Sequence, residues 1–166
     1  MTAVSTHAYA RSHTSTYVSD KLRNFIKLLV NHYGLNPEGV VDAWSSWVDR
    51  AARAWLESGH LESIVVEFFR PGADVALARW DFPIRYDGND SDDMWTDRNF
   101  FQSTIGKAAT PPHNCTYRIL LTHGPNPPHV DGISYTKFLS LGSLVSREIG
   151  TVVATPNVMA SARYYR

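Results

Sequence analysis

Residues 54–87, AWLESGHLESIVVEFFRPGADVALARWDFPIRYD, decide how the rest of the chain is read. They run as a helix end, a strand, a tight turn and a returning strand. Ile64, Val66 and Phe68 alternate with Val65, Glu67 and Phe69. This β-branched and aromatic run is bounded by Gly59 and by Pro71-Gly72, which is a strand signature. Pro71, Gly72 and Asp74 are turn formers. On the return, Trp80, Phe82, Ile84 and Tyr86 share one face, and Arg79, Asp81 and Arg85 share the other. The alternation predicts one buried face and one wet or polar face. Burying Trp80 and Phe82 contributes several kcal/mol at about 25 cal/mol per Å². A one-residue slip would push Arg79 and Asp81 into the core, so the register is well specified. Pro83 donates no ladder bond, which requires an edge, a bulge or an amide turned away from its neighbour.

A chain of 166 residues predicts one domain, residues 1–166, able to bury roughly 70% of its unfolded surface. With 43% hydrophobic and 12% aromatic residues, a disordered class is excluded. Sixteen basic residues balance sixteen acidic ones, which favours neither nucleic acid nor an anionic membrane as partner. One cysteine, Cys115, leaves no intrachain disulfide and fits a reducing cytosol. No apolar run reaches the roughly 18–20 residues of a membrane span, and residues 1–17 lack a signal-peptide layout.

Residues 1–15 are rich in Ser, Thr and Ala and read as a mobile N-terminal segment. A helix is expected over about 15–33, with Val18, Leu22, Phe25, Ile26, Leu29 and Val30 on one face and Gly34 as its stop. Asn36-Pro37 opens a second helix to about Ser58. Its expected stripe is Val41, Trp44, Val48, Ala51 and Trp55. The loop 88–93 is acidic but lacks EF-hand spacing, so it reads as solvated rather than calcium-binding. A third helix is expected over about 96–109 and closed by Pro111-Pro112, then a strand over 116–123. Pro125, Pro127 and Pro128 exclude helix and central strand from the region just beyond His123. Ser146–Ala154 and Val158–Arg166 can pair as strands, with weakly specified register.

Trp55-Leu56, the strand Ile64–Phe69 and the run Arg79-Trp80-Asp81-Phe82-Pro83-Ile84 together resemble the central hairpin of HORMA domains. The order of elements over nearly the whole chain is similar to the second bacterial HORMA family, found in antiphage (CBASS) signalling operons. The resemblance implies an α+β fold: a central antiparallel sheet, about three packing helices and a C-terminal safety belt, here 134–166. It implies that a closure-motif peptide pairs with the strand and is held by the belt. Residue by residue, this assigns peptide binding to Thr116, Tyr117, Arg118, Ile119, Leu120, Leu121 and Thr122 on the strand, and to Ser146, Ile149, Thr151, Val152 and Val153 on the belt. It makes the N-terminal segment, with His7, Tyr9, Arg11 and His13, the handle of a Pch-type AAA+ ATPase. The implied protein is a cytoplasmic adaptor that activates a CD-NTase, with no catalytic residue, cofactor or metal. Residues 1–15 could instead serve as the closure motif of another copy.

Two other classes compete with the adaptor. An aromatic pocket of Trp44, Trp47, Trp80 and Tyr86 would make a small ligand-binding domain. His123, His129 and Asp131 would make a metal site or hydrolase, but no H-E-x-x-H or G-x-S-x-G motif accompanies them, and a surface role fits them better. Cys115 as a nucleophile is weaker still, because it opens an apolar strand.

Overall fold

The computed structural model describes residues 2–87, 94–107 and 114–166, and for residues 2–11 the backbone alone. The acidic loop 88–93 and the Pro111-Pro112 stop lie outside the described residues. The elements run α1 (Thr2–His32), α2 (Glu38–Ala43), a π-helical turn (Trp44–Val48), α3 (Asp49–Ser58), β1 (Leu61–Phe69), β2 (Ala78–Arg85), β3 (Trp95–Thr96), α4 (Arg98–Lys107), β4 (Thr116–His123), β5 (Ser146–Ala154) and β6 (Met159–Tyr165). The fold is α+β. Its antiparallel sheet has six strands in the order β3-β5-β6-β2-β1-β4.

The expected apolar stripe of α1 is buried throughout, from Val18 to Val30. The helix itself starts at Thr2, well before the expected Ser15. Thr14 and Ser15 are buried, and the Ser15 hydroxyl lies 3.0 Å from Glu57 Oε1 on α3. Tertiary packing outweighs the weak helix propensity of the Ser/Thr-rich segment there. Asn36 Oδ1 accepts the Glu38 N–H at 2.9 Å, so the second helix is opened as the Asn-Pro pair predicts. Its stripe differs by one position: Val40 is in the core and Val41 is 44% exposed. Val40, four residues before Trp44, completes the i, i+4 row that Val41 does not. The π turn then brings Trp44 and Val48 together inside. Gly59, at φ +76°, ends α3, with the His60 N–H on the Trp55 carbonyl at 2.7 Å.

The hairpin forms in the expected register, Ile64 opposite Phe82 and Val66 opposite Trp80. Trp80 is stacked on Tyr164 at 4.9 Å, and Tyr33 on Phe68 at 3.9 Å. Phe101 of α4 packs edge-on against Phe25 at 4.7 Å. The polar face does not follow the alternation. Asp81 is 1% exposed and Glu67 is 0% exposed, because the chain after β4 crosses that face. Pro83 sits in a central strand rather than at an edge. The β2–β6 ladder runs Arg79–Asp81 and resumes at Ile84, missing the two positions whose pairing needs an N–H from residue 83.

Candidate functional site

β4 is the outermost strand and pairs with β1 from Leu61↔His123 to Phe69↔Thr116. Its other edge faces a groove. Ile119 and Leu121 lie opposite Val66 and Ile64, so they belong to the helix-facing row. Above that row stand Trp47 and Trp55, and across from it stands the segment 132–136. These enclose a pocket of about 260 Å³. Toward Thr116 the pocket continues as a wider, open groove of about 590 Å³, walled by Asn36, Glu38, Gly39 and Asp42. Among the described residues, no backbone hydrogen bond joins 125–139 to β4. The edge therefore offers a row of backbone donors and acceptors beside an apolar pocket, which is the chemistry of strand addition.

The far wall is held in place by side chains from the sheet and from α3. Trp55 Nε1–H donates to the Pro128 carbonyl at 3.0 Å. His123 Nδ1 lies 2.7 Å from the Gly124 carbonyl, so it carries the proton, and Nε2 accepts the Tyr135 hydroxyl at 3.0 Å. Glu67, fully buried on β1, takes Arg118 Nε–H at 2.6 Å and the Leu139 N–H at 2.8 Å. Arg118 also donates to the Lys137 carbonyl at 2.6 Å. Ser140 then pairs with the β1–β2 turn: its N–H donates to the Asp74 carbonyl at 3.0 Å and its carbonyl accepts the Ala76 N–H at 2.8 Å. Phe138 lies over the Arg79 guanidinium at 4.4 Å. Beneath it, Asp81 accepts Arg79 at 2.7 Å and Arg163 at 3.0 Å. The Asp81 hydrogen bond holds the Arg163 guanidinium above its ordinary pKa. Two buried carboxylates thus organise the face that the segment crosses, and both are paired as burial requires.

Of the residues expected to bind peptide, Thr116 to Thr122 all lie on β4. It is their backbone edge that faces the groove; several side chains are otherwise engaged. Tyr117 donates to the Asn36 carbonyl at 2.9 Å, and Thr122 shares a hydrogen bond with Ser63. Ser146, Ile149, Thr151, Val152 and Val153 lie on β5 and are not brought to this edge. β6, β2 and β1 stand between β5 and β4, roughly 19 Å at the usual strand spacing. The part of the C-terminal region beside β4 is 132–136, and the later residues form a hairpin on the opposite side of the sheet. Of the N-terminal set, His7, Tyr9 and Arg11 fall on α1 with side chains outside the described residues, and His13 is exposed.

The four aromatics of the rival pocket are scattered. Trp80 and Trp44 are core residues, Trp47 lines the β4 groove, and the Tyr86 hydroxyl donates to the Leu61 carbonyl at 2.8 Å. His129 pairs with Asp131 at 2.8 Å on the surface, apart from the His123–Tyr135 contact. Sequence reasoning missed Trp47, Trp55, Ile133 and Tyr135 as groove residues and Glu67 as the anchor. Glu67 carried a signal: it is the one acid in the otherwise apolar run Ile64–Phe69, matched by Arg118 in the next strand but two.

The family model for bacterial HORMA domain 2 matches residues 1–166. The chain belongs to the bacterial HORMA domain 2 family. Solved structures share this HORMA fold at low identity. One chain of the mitotic checkpoint complex superposes with a TM-score of 0.70 at 11% identity, covering 92% of this chain and 97% of that one. C. elegans HTP-1 bound to the HIM-3 closure motif gives 0.70 at 12% identity, covering 93% and 90%. A chain of the E. coli MS115-1 HORMA:CdnC:Trip13 complex gives 0.56 at 13% identity, covering 96% and 89%. No curated protein sequence matches the chain. No described helix of this HORMA domain is long and apolar enough to cross a membrane.

Proposed function

We propose that this HORMA domain is a peptide-binding signalling adaptor, with its safety belt widened from the expected 134–166 to 124–166, because residues 132–136 already line the groove beside β4. An extended closure-motif peptide adds to the free edge of β4, between Trp47 and Trp55 on one side and belt residues 132–136 on the other. The observation that carries this is the open edge of β4 beside an apolar pocket, under a segment anchored through Glu67. Five to seven ladder bonds at roughly 0.5–1.5 kcal/mol each, less the cost of ordering the peptide, give a Kd around micromolar or somewhat tighter. Because the belt lies across the peptide, release requires its anchors to open, and the complex is long-lived.

In the closed, peptide-bound state the adaptor binds and activates a CD-NTase, in CBASS-type antiphage defence in the cytoplasm. A Pch-type AAA+ ATPase pulls on the N-terminal segment, through His7, Tyr9, Arg11 and His13, and reopens the belt. The similarity to the HORMA:CdnC:Trip13 chain and to closure-motif complexes supports this assignment of partners. The domain itself catalyses no reaction. Self-association through residues 1–15 is a weaker variant, because α1 would first have to unwind from Thr2.

The test is hydrogen exchange with and without a peptide selected from a random library. New protection in 116–123 and 124–145 together is the expected result. Binding without protection at β4, or a folded protein for which no peptide can be selected, overturns the reading. Activation is tested separately, by cyclic-nucleotide synthesis from the operon's CD-NTase with and without the peptide-loaded adaptor.

A further inference from the structure

We infer that the peptide taken by this edge carries a large apolar side chain and, two residues away on the same face, a basic one. This rests on the peptide-binding reading above and adds the chemistry of the partner. The apolar position comes from the pocket beside Ile119 and Leu121. Its walls are Trp47, Trp55, Ile133 and Tyr135. Two of its polar atoms are already used: the Trp55 N–H by Pro128 and the Tyr135 hydroxyl by His123. Ser134 and Thr136 add hydroxyls along the 132–136 side, and the apolar part of the wall is made by the rings of Trp47 and Trp55 with Ile119, Leu121 and Ile133. A dry cavity of about 150 Å³ accommodates benzene, so about 260 Å³ takes a Leu, Met or Phe side chain.

The basic position comes from the neighbouring groove. On β4 the helix-facing row is Tyr117, Ile119, Leu121. The peptide strand has the same period, so side chains two apart sit roughly 6.6 Å apart along it. One such step from the apolar pocket leads beside Tyr117, where the walls are Glu38 and Asp42. Both are exposed, and among the described residues neither has an ion-pair partner. The one cation lining this groove, Arg118, is committed to Glu67 and the Lys137 carbonyl. At the other end, Arg50 donates to the Ser46 carbonyl at 2.7 Å. A Lys or Arg on the peptide would therefore meet two uncompensated carboxylates beside a sheet edge. An acidic side chain there would be repelled.

The experiment is selection from a random peptide library displayed on phage, run in parallel on the wild-type chain and on Glu38→Lys/Asp42→Lys. Both substitutions are on the surface and leave the core untouched. Each selected peptide is checked for protection of β4 by hydrogen exchange. The expected wild-type pool is enriched in an apolar residue spaced two from Lys or Arg, and the reversed chain enriches Asp or Glu at the second position. For one selected peptide, changing the apolar residue to Ser weakens binding at least tenfold. Changing the basic residue to Glu weakens it about fivefold to twentyfold at low salt and less at high salt. Peptides that protect β4 but show neither preference, or the same pool from both chains, overturn this inference and leave the peptide-binding reading standing. If no peptide protects β4, the reading fails and the inference fails with it.

Discussion

Removing the Glu67 carboxylate should loosen the belt before it unfolds the domain. Glu67 is fully buried; it holds Arg118 at 2.6 Å and the Leu139 N–H at 2.8 Å. Glu67→Ala leaves that N–H without a partner, which costs about 1–3 kcal/mol. It also strands the Arg118 guanidinium. One-sided loss of a fully buried pair costs about 3–5 kcal/mol, but the Arg118 side chain is 31% exposed, so water replaces part of the lost bond. The sum is about 2–4 kcal/mol, or a fall in Tm of roughly 5–15 °C for a chain of this size. Glu67→Gln keeps the volume and one acceptor but turns its NH2 toward one of the two donors, and should cost about 1–2 kcal/mol. Chemical denaturation gives the totals. Hydrogen exchange gives the location: amides 137–140 should exchange faster in both variants, ahead of those in β1 and β2. If Glu67→Ala unfolds within about 0.5 kcal/mol of the wild type, with unchanged exchange over 137–140, the anchor is not what holds the belt.

Three further outcomes are expected. Pro83→Val restores a donor at the gap in the β2–β6 ladder. Exchange in β6 should slow several-fold, with global stability changed by less than about 1 kcal/mol because the rigidity of the ring is lost; faster β6 exchange would show that the amide does not face β6. Thr155→Val breaks the reciprocal bonds of a buried hydroxyl with Val158, at 2.7 and 2.9 Å, and should cost about 1–3 kcal/mol by urea denaturation; a neutral result would mean the β5–β6 turn contributes nothing to stability. Burial raises the Tyr33, Tyr86 and Tyr117 hydroxyls above the ordinary 10.0. With the folded pKa above the unfolded one, stability is fully present below about pH 10 and lost as pH rises further. Denaturation curves at about pH 8 and at stepped values above about pH 10 should show this, with a smaller loss in Tyr86→Phe.

The strands and helices are legible in the sequence because each carries its own period. The alternation of 80–84 and the stripe from Val18 to Val30 each place their apolar residues correctly from local pattern alone, whereas Tyr86, just past the end of β2, is 40% exposed. The features that are not legible depend on chain crossings. Asp81 and Arg79 read as a wet face, yet Asp81 is buried, because a Pro- and Gly-rich segment without periodicity passes over it. The resemblance puts β5 and β4 together, because both belong to the peptide-gripping part of a HORMA domain. Strand order is a global property, however. β6 joins the sheet through β2, which leaves β5 on the far side of three strands from β4. At the edge itself, the strand residues are readable and the wall is not: Trp47 and Trp55 read as packing residues of a helix, and nothing local says that one flank of that helix stays open.

The two ends of the sheet are finished very differently. One terminates in β3, two residues long; the other in β4, eight residues long. A long terminal strand with its amides unspent is a template for any passing β-segment, including the same strand of a neighbouring molecule. Side chains offer little protection here, since Ile119, Leu120 and Leu121 supply no charge along the middle of the strand. What stands beside the strand is the following segment: Pro125, Pro127 and Pro128 keep the chain beyond His123 from lengthening it, and residues 132–136 line the pocket next to Ile119, Leu120 and Leu121. If residues 124–166 act as the proposed belt, they screen this strand as well as clasping a peptide, and shortening them would leave β4 more open to pairing with the same strand of a second molecule.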